Sequence, residues 1–139
     1  MIPAETKSGA AFDNNSTNFD AWTAFLGVAE YLFADFQTSA LAADLATLQL
    51  EGSEDGTNWT VLYDFGANSQ IISHSTSQTQ LYRVGISMTG PTRRYLKWNA
   101  VAGSGNSTAY GRATIVQQGI APVSGSEWQG SNFVYAEIL

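Results

Sequence analysis

A chain of 139 residues with 44% hydrophobic and only 13% charged residues is sized for one domain. A domain of that size buries about 70% of its unfolded surface, and here the remaining surface must be polar yet weakly charged. The net charge of −6, the lack of cysteine and the lack of any apolar run near the roughly 18 residues of a membrane span exclude a duplex nucleic-acid binder, a disulfide or thiolate-metal framework and a helical membrane anchor.

Residues 1–18 open without a basic leader and apolar run, alternate small and polar residues, and carry Phe12 as a large apolar anchor before the turn-forming Asp13-Asn14-Asn15-Ser16. They predict an extended N-terminal arm, with residues 19–139 forming a single domain. Residues 19–36 hold Phe19, Trp22, Phe25, Tyr31, Phe33 and Phe36 at spacings that suit both strand and helix. Strands broken near Gly27 are the expectation, with a helix as the rival. From Ala46 the pattern clears: Leu48 and Leu50 alternate with Gln49 and Glu51, and residues 59–63 form a second run beyond Gly52-Ser53-Glu54-Asp55-Gly56. Asp-Gly tolerates positive φ, so a hairpin with a loop of several residues is predicted.

Residues 71–80 read as a polar strand or loop and 81–86 as a further strand, with Gly90-Pro91-Thr92 turning the chain. Residues 94–101 alternate strictly, residues 103–106 break the pattern, and residues 109–116 are expected to return as the hairpin partner. After a loop-like stretch, residues 132–139 end the chain as an apolar strand that must be covered, either at an edge of its own sheet or on a neighbouring subunit. Strands about every ten residues without βα alternation predict an all-β fold, an antiparallel β-sandwich of jelly-roll type.

Catalytic chemistry does not assemble. His74 is the only histidine and lies in a Ser/Thr/Gln-rich run, and there is no Gly-x-Ser-x-Gly elbow, so neither a triad nor a zinc site is expected. Glu51, Glu54, Asp55 and Asn58 offer oxygen ligands for calcium, but the EF-hand pattern is absent and turn geometry accounts for them. No cofactor and no metal are expected. The ten acids against Lys7 in residues 1–82 contrast with Arg83, Arg93, Arg94, Lys97 and Arg112, a basic stretch suited to a protein partner or to the acidic half of the same domain.

Ser53-Glu54-Asp55-Gly56-Thr57-Asn58-Trp59-Thr60 resembles the hairpin of discoidin-type carbohydrate- or lipid-binding β-sandwiches, in which the Trp is structural. The same hairpin, followed by Arg93-Arg94-Tyr95-Leu96-Lys97-Trp98-Asn99, a small-residue loop and an Ala/Ile/Val-rich strand, resembles the jelly-roll capsid cement proteins of the Bordetella-phage type over residues 46–118. That resemblance implies a non-enzymatic protein made in the host cytoplasm and carried on the virion exterior, where it bridges subunits of the major capsid protein. Weak surface charge and apolar groups near both termini predict self-association, with a dimer favoured. The candidate interface residues are Phe12 and Trp22 as apolar anchors, Arg93 and Arg94 as charged contacts, and Phe133 and Tyr135 on the last strand. The competing reading is a carbohydrate-binding module, a virion adhesin or discoidin-like domain, in which some of the four Trp and six Tyr stack on sugars.

Overall fold

A computed structural model describes residues 5–12, 17–23, 31–39, 45–71, 80–87, 93–103, 109–118 and 133–138. These residues contain nine strands and no helix: β1 (Glu5–Phe12), β2 (Thr17–Thr23), β3 (Tyr31–Ser39), β4 (Leu45–Ser53), β5 (Thr60–Asp64), β6 (Gln80–Ser87), β7 (Tyr95–Ala102), β8 (Ala109–Gln118) and β9 (Phe133–Ile138). The strand expectation for the aromatic segment holds at β2 and β3. The ambiguous ring spacing has a physical cause in β3, where all six residues from Tyr31 to Phe36 are buried. Successive side chains of a strand point to opposite faces, so a strand covered on both sides loses its polar alternation.

The strands form two sheets, a five-stranded one in the order β1-β8-β3-β6-β9 and a four-stranded one in the order β2-β7-β4-β5. Among the first eight strands, the first pairs with the last and so on inwards: β1 with β8, β2 with β7, β3 with β6 and β4 with β5, all antiparallel. Side-by-side pairing of β3 with β8 and of β4 with β7 completes each sheet. β9 stands outside this scheme and lies parallel to β6.

The predicted hairpin between residues 94–101 and 109–116 does not form. β7 sits between β2 and β4, whereas β8 sits in the other sheet between β1 and β3. A small-residue connection serves a hairpin and a step between sheets equally well, so local turn chemistry could not separate them. The β4–β5 hairpin does form, with Gly52 opposite Thr60. The N-terminal segment is extended but is not a free arm: Glu5–Phe12 is hydrogen-bonded to β8 and makes one edge of the five-stranded sheet, and β2 begins at Thr17. Without β1, β8 would present an unpaired row of backbone donors and acceptors. Of the two expectations for the C-terminal strand, β9 meets the first by closing the opposite edge of its own sheet.

One hydrophobic core joins the two sheets. Leu32, Ala34 and Phe36 of β3, Tyr82, Val84 and Ile86 of β6, and Val134 and Ala136 of β9 meet Leu48 and Leu50 of β4 and Leu96, Trp98 and Ala100 of β7. Phe65, just beyond β5, is fully buried among the rings, 5.1 Å from Tyr82 and 6.1 Å from Trp98 between centroids, and its N–H donates to the Leu48 carbonyl at 3.0 Å. Each such side chain contributes about 1.5–3 kcal/mol on burial, so these rings dominate the attachment of sheet to sheet.

Candidate functional site

The two faces turned away from the core differ in kind. On the five-stranded sheet, Tyr31, Phe33 and Asp35 of β3 lie beside Arg83 and Gly85 of β6, which lie beside Phe133, Tyr135 and Glu137 of β9. Register sets the neighbours: Asp35 opposes Arg83, and Arg83 opposes Tyr135. The Arg83 guanidinium grips Asp35 through two bonds, Nε to Oδ1 at 2.7 Å and NH2 to Oδ2 at 2.8 Å. It also lies 4.6 Å from the centroid of Phe33 and 5.5 Å from that of Phe133. Burial pushes the Asp35 carboxyl up from its ordinary value, and the Arg83 charge works against that shift.

Next to this pair the Tyr31 and Tyr135 hydroxyls meet at 2.9 Å, one donating to the other, and Glu137 Oε1, 3.1 Å from Tyr31 and 3.3 Å from Tyr135, accepts the hydrogen bond from the proton that remains. They cross the strand at Gly85, where a Cβ would collide with both hydroxyl oxygens. Burial is the largest cause pushing the pKa of both phenols up. The hydroxyls therefore stay protonated, serving as donors and not as bases. Tyr31 is 2% exposed, Phe33 5% and Tyr135 3%, so this outer face is closed. The interface candidates Phe133 and Tyr135 lie on this face. Tyr135 is committed within the chain and Phe133 is half-buried against Arg83, because the strand's non-core side faces β3 and β6 residues that already cover it.

The outer face of the four-stranded sheet is open and polar. Asn18 opposes Asn99, Asn99 opposes Gln49, and Gln49 opposes Asp64, making one transverse row across β2, β7, β4 and β5. Within it Gln49 Nε2 donates to Asp64 Oδ2 at 2.8 Å, and Asn99 Nδ2 approaches Gln49 Oε1 at 3.4 Å. In the next row Lys97 opposes Glu51, which opposes Val61, a residue 45% exposed. Lys97 Nζ rests 4.3 Å above the Trp59 ring, and Tyr95 opposes Ser53 beyond it.

The turn at that end is built by Asp55. Its Oδ1 accepts from the backbone N–H groups of Thr57 and Asn58, both at 2.8 Å, and from Ser53 Oγ at 2.9 Å, while Oδ2 accepts from Asn58 Nδ2 at 2.7 Å. Those N–H groups, first Asn58 and then Thr57, hold the Asp55 carboxyl well below the usual carboxylate range. Gly56 takes φ 76°, the left-handed conformation that favours glycine. The turn thus accounts for Asp55 and Asn58 by their own hydrogen bonds. Among the described residues no group of three or more His, Cys, Asp or Glu is placed to hold a metal ion, and His74 lies outside the described residues.

The four remaining candidates are not brought together. Arg93 is buried and donates to the Ser87 carbonyl, with no partner for its Nε among the described residues and its basicity lowered by burial, whereas Arg94 is exposed. Trp22 pairs with Leu96, near the start of β7, and Phe12 pairs with Ala109 of β8 in the other sheet. Of the two, Trp22 is the one close in register to Arg94. Sequence reading placed Arg83 in a basic stretch suited to a partner or to the acidic half of the domain, and its bonds to Asp35 are of the second kind. It missed Asp35 itself, Gly85 and the amide row, and the available signal for Asp35 was a charge inside a strand with apolar residues on both sides. Comparison of the chain with protein-family models, curated proteins and solved structures gave no match.

Proposed function

We propose that this chain is a non-enzymatic jelly-roll β-sandwich that decorates and stabilises a bacteriophage capsid by bridging major-capsid subunits. The nested pairing of β1 with β8, β2 with β7, β3 with β6 and β4 with β5 carries this reading, because rolling up one long hairpin is how a jelly roll is made. Jelly rolls serve viral shells and lectins alike, so fold by itself does not choose between them. The choice leans on the likeness of residues 46–118 to capsid cement proteins and on the low charge of the chain.

Attachment runs along the side where the edge strands β1 and β2 neighbour each other, with exposed Arg94 as the charged contact. Binding to the assembled shell alone raises shell stability by mass action. The test mixes the purified chain with shells of the major capsid protein encoded alongside it. Co-sedimentation and a higher shell melting temperature are expected, and shells that neither bind the chain nor gain stability would overturn the proposal. Arg94→Ala is expected to weaken sedimentation while leaving the chain's own melting temperature unchanged.

A further inference from the structure

We infer that the open outer face of the four-stranded sheet is a binding site for a neutral polysaccharide, with the row Asn18, Asn99, Gln49 and Asp64 as its hydrogen-bonding floor. Asn and Asp are depleted in strands, because their short polar side chains compete with the ladder. A sheet face that only meets water is served by Thr, Lys and Glu. Here three amides occupy a single transverse row that crosses the sheet and ends at Asp64, whose Oδ1 also accepts from the Ala67 N–H at 3.1 Å in the turn after β5. At the usual strand spacing the row is about 14 Å long, the reach of an oligosaccharide segment rather than of one sugar.

The chemistry of the row selects the ligand. An amide presents a donor and an acceptor together, as a sugar hydroxyl does, so a line of amides can pair with a line of hydroxyls. The bonds from Gln49 to Asp64 and from Asn99 to Gln49 hold the side chains in place before any ligand arrives. That lowers the ordering cost of binding. Tyr95 and Trp59, both half-buried, border the row at one end, with Gly56 packed against the Tyr95 ring and Lys97 against the Trp59 ring.

Charge argues for a neutral ligand. Lys97 stands directly opposite Glu51 and against the Trp59 ring, so its charge is offset on the face itself. Asp64 adds a negative charge to the row, and the whole chain carries −6, which repels polyanions at long range. The inference does not rest on attachment to a shell, since a chain can sediment with shells and ignore polysaccharide, or the reverse.

The experiment titrates the isotope-labelled full chain with soluble β-glucan, xylan and galactomannan, and with polygalacturonate as the anionic comparison, following backbone and side-chain amide signals by NMR. Affinity electrophoresis in the same polysaccharides gives the constants. At least one neutral polymer is expected to shift the side-chain amide signals of Asn99 and Gln49 and to retard the chain. The Gln49→Ala/Asn99→Ala double variant, folded as judged by its backbone spectrum, is expected to bind at least tenfold more weakly. Tyr95→Ala serves as a second variant at the aromatic end, with a smaller loss expected. No retardation by any neutral polymer overturns the inference. So does binding to polygalacturonate alone, or retardation that the amide substitutions leave unchanged.

Discussion

The two outer faces start from the same strand geometry and end in opposite states. On the five-stranded sheet the side away from the core is closed, with Tyr31, Phe33 and Tyr135 nearly inaccessible and Arg83 clamped to Asp35 between two rings. On the four-stranded sheet the corresponding side is open, with Val61 45% exposed and amides lined up across the strands. The difference teaches where rigidity and recognition reside. Groups on the closed face satisfy one another and anchor β9, so their substitution costs stability. Groups on the open face lie nearer solvent and bear less of the core, so their substitution is expected to cost little stability.

The sharpest way to break this contrast is to strand a charge on the closed face. Arg83→Met leaves Asp35 buried without its partner and is expected to cost about 3–5 kcal/mol by urea denaturation. The double variant Asp35→Leu/Arg83→Met is expected to recover most of that loss, because an apolar pair needs no compensating charge. A loss in the double variant as large as in the single would show that shape, not charge, holds the face together.

Gly85→Ala tests the same face sterically. The added methyl meets the Tyr31 and Tyr135 hydroxyls, and overpacking of this kind costs about 1–3 kcal/mol. Removing both hydroxyls, in Tyr31→Phe/Tyr135→Phe, is expected to make room and restore part of the stability in the Gly85→Ala background. Tyr135→Phe alone removes the bonds to Tyr31 and Glu137 and is expected to cost about 1 kcal/mol.

Acid separates the faces by sign. Asp55, at the open end, has a depressed carboxyl in the fold, so the stability it adds is present above the unfolded carboxylate value of about 3.9 and is lost as pH falls through the folded value. Asp35 on the closed face is raised, so its linkage favours the fold below about pH 3.9 and fades as pH rises through the folded value. Asp55→Ala is therefore expected to melt at a lower temperature than the parent at neutral pH, with the gap narrowing as pH falls below about 4. A gap of constant size would mean that the turn draws nothing from the Asp55 charge. The smallest effect is expected on the open face, where Gln49→Ala and Asn99→Ala stay within about 0.5 kcal/mol of the parent.

The strands themselves were legible in the residues, because alternation at Leu48 and Leu50 or at Leu96 and Trp98 is a local property that a half-buried strand requires. So was the turn at residues 53–58, whose Ser, Asp, Gly and Asn are the residues its hydrogen bonds use. Of the candidate site, the sequence marked Arg93 and Arg94 together, yet the chain just ahead of β7 buries Arg93 against the Ser87 carbonyl and leaves Arg94 exposed. It marked Phe133 and Tyr135 as surface to be covered, without revealing that their own chain covers them.

Only the tertiary structure decided which sheet each strand joins, that β7 and β8 part company, that β9 lies parallel to β6, and that Asn18, Gln49, Asp64 and Asn99 share one row. The physical reason is common to all four. Period-two alternation assigns side chains to two sides of a strand, but pairing partners lie tens of residues apart in the chain, and what covers the second side is set by whichever distant strand arrives there.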